Sequence, residues 1–91
     1  MSAVNVRFQN TPNPNAGKFT LDRPLIPGKS SVSYYNAAQA AADPLGAALF
    51  EIDGVGSLFM VDDFVTVTKA PDVAWDTLTP RVIETIQRMC V

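Results

Sequence analysis

The chain has 91 residues, of which 47% are hydrophobic, and a formal net charge of −2. This length predicts a single domain over residues 1–91, with a core that needs no metal or disulfide. The small negative charge gives no reason to expect a nucleic acid or an anionic membrane as partner. The absence of histidine excludes imidazole catalysis and His metal ligands. The single cysteine, Cys90, excludes an intramolecular disulfide or Cys-x-x-Cys site.

The sequence shows neither a targeting segment nor a membrane helix. Residues 1–10 alternate polar and apolar and lack the apolar run of a signal peptide. No stretch approaches the roughly 20 apolar residues that a membrane-spanning helix needs. We therefore expect a soluble, cytoplasmic protein.

The first residues predict a β-hairpin with a stiff polar loop. Val4, Val6 and Phe8 alternate with polar residues, as in a half-buried strand, and residues 18–22 resume the alternation. The segment between them contains two prolines, which favour extended neighbours, and asparagines and a glycine, which favour turns. We predict antiparallel strands at 4–9 and 18–22.

The middle of the chain gives weaker signals. The prolines and glycine of residues 23–29 predict an irregular connection. Residues 31–35 have the composition of a short edge strand, and the alanine-rich residues 36–42 suit one helical turn. An alternative is a single helix over 37–52, which Pro44 would have to kink.

A short helix with marked ends is predicted at residues 44–53. Asp43 is a good N-cap, and Pro44 suits the first helical position because its missing N–H costs nothing there. Gly54 can adopt the left-handed conformation that ends a helix. One apolar face recurs at helical spacing, through Leu45, Ala48, Leu49 and Ile52.

A second hairpin is predicted around Asp62 and Asp63, with strands at 57–61 and 64–69. The side chains predicted for the core are Phe59, Val61, Val65 and Val67. Those predicted to face the other way are Phe64, Thr66 and Thr68. The adjacent carboxylates are typical of a turn, with a divalent cation site as the alternative.

The last element is a helix running to the C-terminus, with Asp72 as a plausible cap. Trp75 lies on its apolar stripe and is most simply a core residue. Pro80 falls too late for a first-turn proline, so either the helix kinks there or Thr79 caps a new helix. The rest of the stripe is Leu78, Thr79, Val82, Ile83, Ile86, Met89 and Cys90.

These elements predict a two-layer α+β fold. A mostly antiparallel sheet of about four strands carries two helices on one face, in the order β-β-α-β-β-α, with residues 31–35 as a candidate extra edge strand. The other face of such a sheet needs covering by its own side chains or by a partner.

Charge is distributed unevenly along the chain. Residues 1–30 carry four cations and one carboxylate, whereas residues 43–76 carry seven carboxylates and one cation. One face could therefore be acidic and another mildly basic, which would steer partners. The alternative is that these are solvated charges at the ends of elements.

Three segments together form a recognisable pattern. They are Asn10-Thr11-Pro12-Asn13-Pro14-Asn15 with Lys18-Phe19, the helix with Pro44-Leu45-Gly46 and Gly54-Val55, and residues 64–69 with Trp75 following. In this order they resemble the N-terminal domain of the Nfu/NifU-like iron–sulfur scaffold proteins. In that family a separate domain with a Cys-x-x-Cys motif holds the cluster. The resemblance implies a stand-alone N-terminal module, without a cofactor or metal of its own, that contacts a protein partner in iron–sulfur assembly or delivery.

Within such a module, the polar loop offers the first candidate partner-binding residues, Asn13, Asn15 and Lys18. Asparagine side chains in turns commonly bond to their own backbone, which is the structural alternative for Asn13 and Asn15. No catalytic residue is predicted, because no convergent pair of Asp, Glu, Lys or Tyr can be identified from spacing. An unrecognised enzymatic activity is therefore one alternative function.

A metal or cluster bridged by Cys90 between two chains is the other alternative. It would need outside ligands, because clusters usually take about four thiolates. A lone cysteine on an apolar stripe is ordinarily a small buried hydrophobe.

Overall fold

The computed structural model describes residues 4–25 and 31–89. Five strands and two helices are present in this part of the chain. In chain order they are β1 (Val6–Asn10), β2 (Ala16–Leu21), β3 (Ser31–Tyr34), α1 (Pro44–Phe50), β4 (Val55–Val61), β5 (Phe64–Lys69) and α2 (Trp75–Met89). Residues 26–30 of the predicted irregular connection, and Cys90, lie outside the described residues.

The strands form one sheet in the order β1-β2-β5-β4-β3, with every neighbouring pair antiparallel. The sheet therefore has five strands rather than about four, and the element order is β-β-β-α-β-β-α. The extra strand is β3, which pairs with β4 at one edge of the sheet, as predicted for residues 31–35. Its alternation of Ser with Val or Tyr suits an edge strand with one apolar side.

Helix α1 begins as predicted. The Asp43 carboxylate accepts hydrogen bonds from the backbone N–H groups of Leu45 (3.1 Å) and Gly46 (3.2 Å), and Pro44 is the first helical residue. The helix ends at Phe50, three residues earlier than predicted, and turns lead to Gly54, whose φ is 100°.

Residues 36–42 form turns, and they do not merge with α1. Asp43 is extended, with φ −105° and ψ 110°, and Pro44 after it disfavours the helical conformation at that position. The alternative helix over 37–52 is therefore wrong.

Helix α2 runs from Trp75 to Met89 with Pro80 inside it, so Thr79 does not cap a new helix. Asp72 is not the cap either, because the helix starts three residues later. The Ala74 carbonyl accepts the first hydrogen bonds, from the N–H groups of Thr77 and Leu78. Pro80 is exposed, so water can reach the carbonyl whose helical bond the proline cannot make.

Both helices pack on the same face of the sheet, and the core lies between the two layers. Val65 and Val67 are buried there, as predicted, whereas Phe59 and Val61 are not in this core. The buried core residues are Val4, Phe19, Leu21, Leu45, Leu49, Leu58, Met60, Val65, Val67, Leu78, Val82 and Ile86.

The register between β4 and β5 explains why Phe59 and Val61 are not in the core. Leu58 pairs with Val67 and Met60 pairs with Val65, so these alternate residues of β4 share the helix-covered face. All four residues at 58–61 are apolar, so both sides of the strand carry apolar side chains. The alternation of the sequence therefore cannot show which side is buried.

Candidate functional site

The face of the sheet opposite the helices is not covered by any described element, and we call it the open face. Strand pairing aligns its side chains in rows across the sheet. One row is Arg7, Thr20, Phe64, Val61 and Ser31. The next is Gln9, Lys18, Thr66, Phe59 and Ser33. Phe64 and Thr66 lie on this face, as predicted.

Three apolar side chains on β4 and β5 meet at the centre of the open face, and we call Phe59, Val61 and Phe64 the apolar stripe. The rings of Phe59 and Phe64 are tilted at 58° with centroids 6.4 Å apart. Phe59 is 40% exposed, a large value for an aromatic side chain within a central strand. The stripe therefore presents one exposed aromatic ring, Phe59, beside the half-buried Val61 and Phe64.

Lys18 borders the apolar stripe. Its Nζ lies 4.3 Å from the centroid of the Phe64 ring, a cation–π distance. The contact holds a positive charge beside exposed aromatic carbon. A partner that combines apolar surface with a carboxylate would meet both features at once.

A shallow depression of about 320 Å³ lies where the open face meets the β1–β2 edge. It is lined by Asn5, Val6, Arg7, Thr20, Leu21 and Asp22. The Thr20 hydroxyl oxygen is hidden from solvent and has no hydrogen-bond partner among residues 4–25 and 31–89.

Paired side chains occupy the rim of this depression. Asp22 accepts hydrogen bonds from Arg23 (3.0 Å) and from the Asn5 amide (3.2 Å). The hydrogen bond from Arg23 is the main cause that lowers the pKa of the exposed Asp22 carboxyl. Because these groups already satisfy one another, the depression offers a ligand few groups ready to bind it.

The polar loop over residues 11–17 is held by its own side chains. The Thr11 hydroxyl lies 2.8 Å from the Ala16 carbonyl oxygen and accepts from the Asn13 N–H at 3.2 Å. The Asn13 side-chain oxygen accepts from the Asn15 N–H at 2.9 Å. This is the asparagine turn that the sequence offers as the alternative to partner binding by Asn13, and it makes the loop stiff.

A buried lysine anchors this loop to the helix-covered side of the sheet. Lys69 is 8% exposed. Its Nζ donates to the Asn15 side-chain oxygen (3.2 Å) and to the Ala70 carbonyl (3.3 Å), and lies 5.7 Å from the Trp75 ring centroid. The Trp75 indole N–H donates to the Pro14 carbonyl at 2.9 Å. Lys69 and Trp75 therefore hold the loop in place through their hydrogen bonds to Asn15 and Pro14.

The three residues predicted to bind a partner do not form one cluster. Asn13 and Asn15 lie on the loop, with their side-chain oxygens bonded to the Asn15 N–H and to Lys69. Lys18 lies on the open face beside Phe64. Of the three residues, Lys18 alone lies next to the apolar stripe.

Sequence reasoning missed two residues of this region. The sequence predicts Phe59 in the core, and the register with β5 shows that it is on the open face. Lys69 is not among the predicted site residues, although Val65, Val67 and Lys69 follow one another at two-residue spacing and so share one side of the strand.

The Asp62–Asp63 pair forms the hairpin turn. Asp62 has a φ of 52°, a conformation that aspartate tolerates better than most residues. The backbone carbonyls of Asp62 and Asp63 accept from the N–H groups of Leu25 and Leu21, both at 2.7 Å. The turn prediction is therefore confirmed.

Within residues 4–25 and 31–89, no group of three or more His, Cys, Asp or Glu residues is placed to hold a metal ion. In the same part of the chain, neither helix has the length and apolar character needed to cross a membrane.

Comparison with known families and proteins gives a consistent result. The family model described as "Scaffold protein Nfu/NifU N terminal" matches residues 6–91. "NifU-like protein 5, mitochondrial" of Arabidopsis thaliana is 40% identical over 81 residues, which cover 89% of this chain and 29% of that protein. The human "NFU1 iron-sulfur cluster scaffold homolog, mitochondrial" is 38% identical over 82 residues, covering 89% of this chain and 32% of that protein.

This chain therefore spans about a third of the length of these relatives. Solved structures agree in fold. A NifU-like protein from Saccharomyces cerevisiae matches with a TM-score of 0.83 and 26% identity, over 97% of this chain and 79% of that one. A Staphylococcus aureus protein matches with a TM-score of 0.76 and 30% identity, over 93% of this chain and 99% of that one.

Proposed function

Because this chain belongs to the Nfu/NifU N-terminal family, we propose that it is a non-catalytic protein-interaction module serving iron–sulfur cluster assembly or delivery. The name of the human relative refers to an iron–sulfur cluster scaffold. The part of the relatives that this chain matches is about a third of their length, and we propose for that part a role accessory to cluster chemistry.

The open face is the observation that carries this proposal. Its apolar stripe combines two aromatic rings with a lysine at the border. Aromatic residues are enriched at protein interfaces and dominate their binding energy, because they bury a large area at low entropic cost. A sheet covered by helices on one face, with the exposed Phe59 and the half-buried Phe64 on the other, is suited to a protein partner.

Membership of this family supports a class of partner. We propose that it is an iron–sulfur assembly or recipient protein, including a separately encoded protein with a Cys-x-x-Cys motif. Such a partner would hold the cluster, while this chain would supply contact surface.

Binding to purified partners tests the function. The full chain would be titrated by calorimetry with Cys-x-x-Cys proteins and cluster recipients from the same genome. We expect at least one to bind with a dissociation constant in the micromolar range, which is about −8 kcal/mol. Absence of binding to every one of them would contradict the proposal.

The loop residues can be tested in the same titrations. Asn13→Ala and Lys18→Ala separate the loop from the open face, because the structure places them on different surfaces. If both variants bind every partner as well as the parent, the prediction that Asn13 and Lys18 contact the partner is wrong.

A further inference from the structure

We propose that the open face docks one amphipathic helix of the partner, laid along the apolar stripe with its acidic flank towards β1 and β2. This inference rests on the proposed function and specifies the chemistry of the partner. Its four supports are the width of the stripe, the charges beside it, the acidic turn at its end and the area of the face.

The stripe has the width of one helix. Phe59 and Val61 lie on β4 and Phe64 lies on the neighbouring β5. Two adjacent strands span roughly 10 Å, which matches the diameter of a helix with its side chains. The polar Ser31 and Ser33 of β3 border the stripe on one side.

The positive charges on the other side of the stripe favour a helix with acidic residues. The open-face positions of β1 and β2 carry Arg7 and Lys18, and no carboxylate occupies these positions within either strand. Lys18 touches the stripe through the Phe64 ring. A helix with Glu or Asp along this flank would pair with both cations while its apolar side covers Phe59.

The acidic hairpin turn sets a preferred direction. Asp62 and Asp63 lie beyond the end of the stripe, next to Val61 and Phe64 in the chain. The N-terminal end of a helix carries a partial positive charge. We infer that the docked helix points its N-terminus towards this turn.

The area of the face favours a transient partner over a second copy of this chain. Five strands about 4.8 Å apart, each about six residues long, cover roughly 500 Å². Stable protein pairs bury about 800 Å² on each partner. The footprint of two packed open faces is therefore smaller than the area that each partner of a stable pair buries, which favours a short-lived complex.

Two synthetic helical peptides of about 18 residues, roughly 27 Å long, test the inference. Both carry the same leucine stripe, and one has a glutamate flank where the other has a lysine flank. Each is titrated into the isotopically labelled full chain and followed by NMR. We expect the glutamate peptide to shift the amide signals of residues 57–61 and 64–68, and to bind at least about tenfold more tightly than the lysine peptide.

Three variants sharpen the assignment. Phe59→Ser is expected to weaken binding of the glutamate peptide at least about tenfold, as removal of a central aromatic does. Lys18→Glu is expected to reverse the preference between the two peptides. Arg88→Glu, on the exposed side of α2, is the matched charge control and is expected to change neither affinity. Circular dichroism establishes that each variant is folded.

Several results would overturn the inference. Equal binding of the two peptides, or signal changes confined to the helices, would show that the stripe is not an acidic-helix site. Self-association of the parent that Phe59→Ser abolishes, measured by ultracentrifugation, would assign the face to a second copy instead.

The two proposals can fail separately. If the glutamate peptide binds the open face but no iron–sulfur protein binds, the docking site stands and the proposed function fails. If an iron–sulfur protein binds and Phe59→Ser leaves its affinity unchanged, the function stands and the docking site fails.

Discussion

The Lys69 ammonium donates a hydrogen bond to the Asn15 side-chain oxygen, 3.2 Å away, although 54 residues separate them in the chain. The acceptors of this buried cation are the Asn15 side chain and the Ala70 carbonyl, and the Trp75 ring lies beside it. The position of the polar loop is thus tied to the solvation of one buried charge. Asn15 therefore has a structural role as a hydrogen-bond acceptor for Lys69.

This arrangement predicts an asymmetry between two substitutions. Asn15→Ala leaves the Lys69 charge buried with one acceptor fewer, and is expected to lower the free energy of unfolding by about 1–3 kcal/mol. Lys69→Met removes the charge itself, and the half-buried Asn15 oxygen can turn to water, so the loss is expected to be smaller. Urea unfolding followed by circular dichroism measures both. A larger loss for Lys69→Met would show that the ammonium is a net stabilising group.

Gly17 is predicted to tolerate no side chain. A Cβ there would lie 2.5 Å from Cε1 of Phe8 and 2.9 Å from Cη2 of Trp75. These two rings pack against each other, with centroids 5.2 Å apart, so neither moves freely. We expect Gly17→Ala to lower the free energy of unfolding by about 1–3 kcal/mol.

Gly56→Ala is the matched control for this overpacking. Its Cβ would meet the Thr68 carbonyl oxygen at 3.2 Å, a single contact that is longer than both ring contacts at Gly17. Thermal melts of both variants decide the matter, and equal melting temperatures would refute the role of the ring pair.

Tyr34 is predicted to make stability sensitive to alkaline pH. Burial is the first cause that raises the pKa of its phenol, and the hydrogen bond to Asp43, 2.9 Å long, together with that carboxylate's charge, raises it further. The folded state therefore keeps this proton to higher pH than the unfolded state does. Its contribution to stability is complete below the ordinary pKa of 10.0 and is lost as the pH rises through the raised value.

Tyr34→Phe should therefore flatten the alkaline fall in stability, whereas Tyr35→Phe, at a 70% exposed position, should not. Urea midpoints measured from pH 8 to pH 11 provide the comparison. An identical alkaline slope in the parent and in Tyr34→Phe would exclude the coupling between Tyr34 and Asp43.

Most of the elements could be predicted from the sequence because their ends are marked by local chemistry. Asp43 and Pro44 fix the start of α1 through hydrogen bonds within a few residues, and Asp62 suits the turn of the second hairpin because aspartate tolerates its φ of 52°. The prediction of Asp72 as the cap is wrong, because α2 begins at Trp75. A capping residue type alone does not determine where a helix begins when tertiary contacts, such as those of Trp75, also act on it.

The candidate site was harder to predict because it depends on contacts between distant segments. The open position of Phe59 follows from pairing with β5, and residues 58–61 are apolar on both sides of the strand. The role of Asn15 depends on Lys69, which the fold brings to it from the far end of the second hairpin. Neither relationship leaves a local pattern in the sequence.

The most direct test of this account compares the affinity of one iron–sulfur protein for three forms of the full chain. A Cys-x-x-Cys protein from the same genome would be titrated into the parent, Phe59→Ser and Arg88→Glu. We predict micromolar binding to the parent, about tenfold weaker binding to Phe59→Ser, and unchanged binding to Arg88→Glu. Equal affinity for all three forms, or no binding to the parent, would contradict this account.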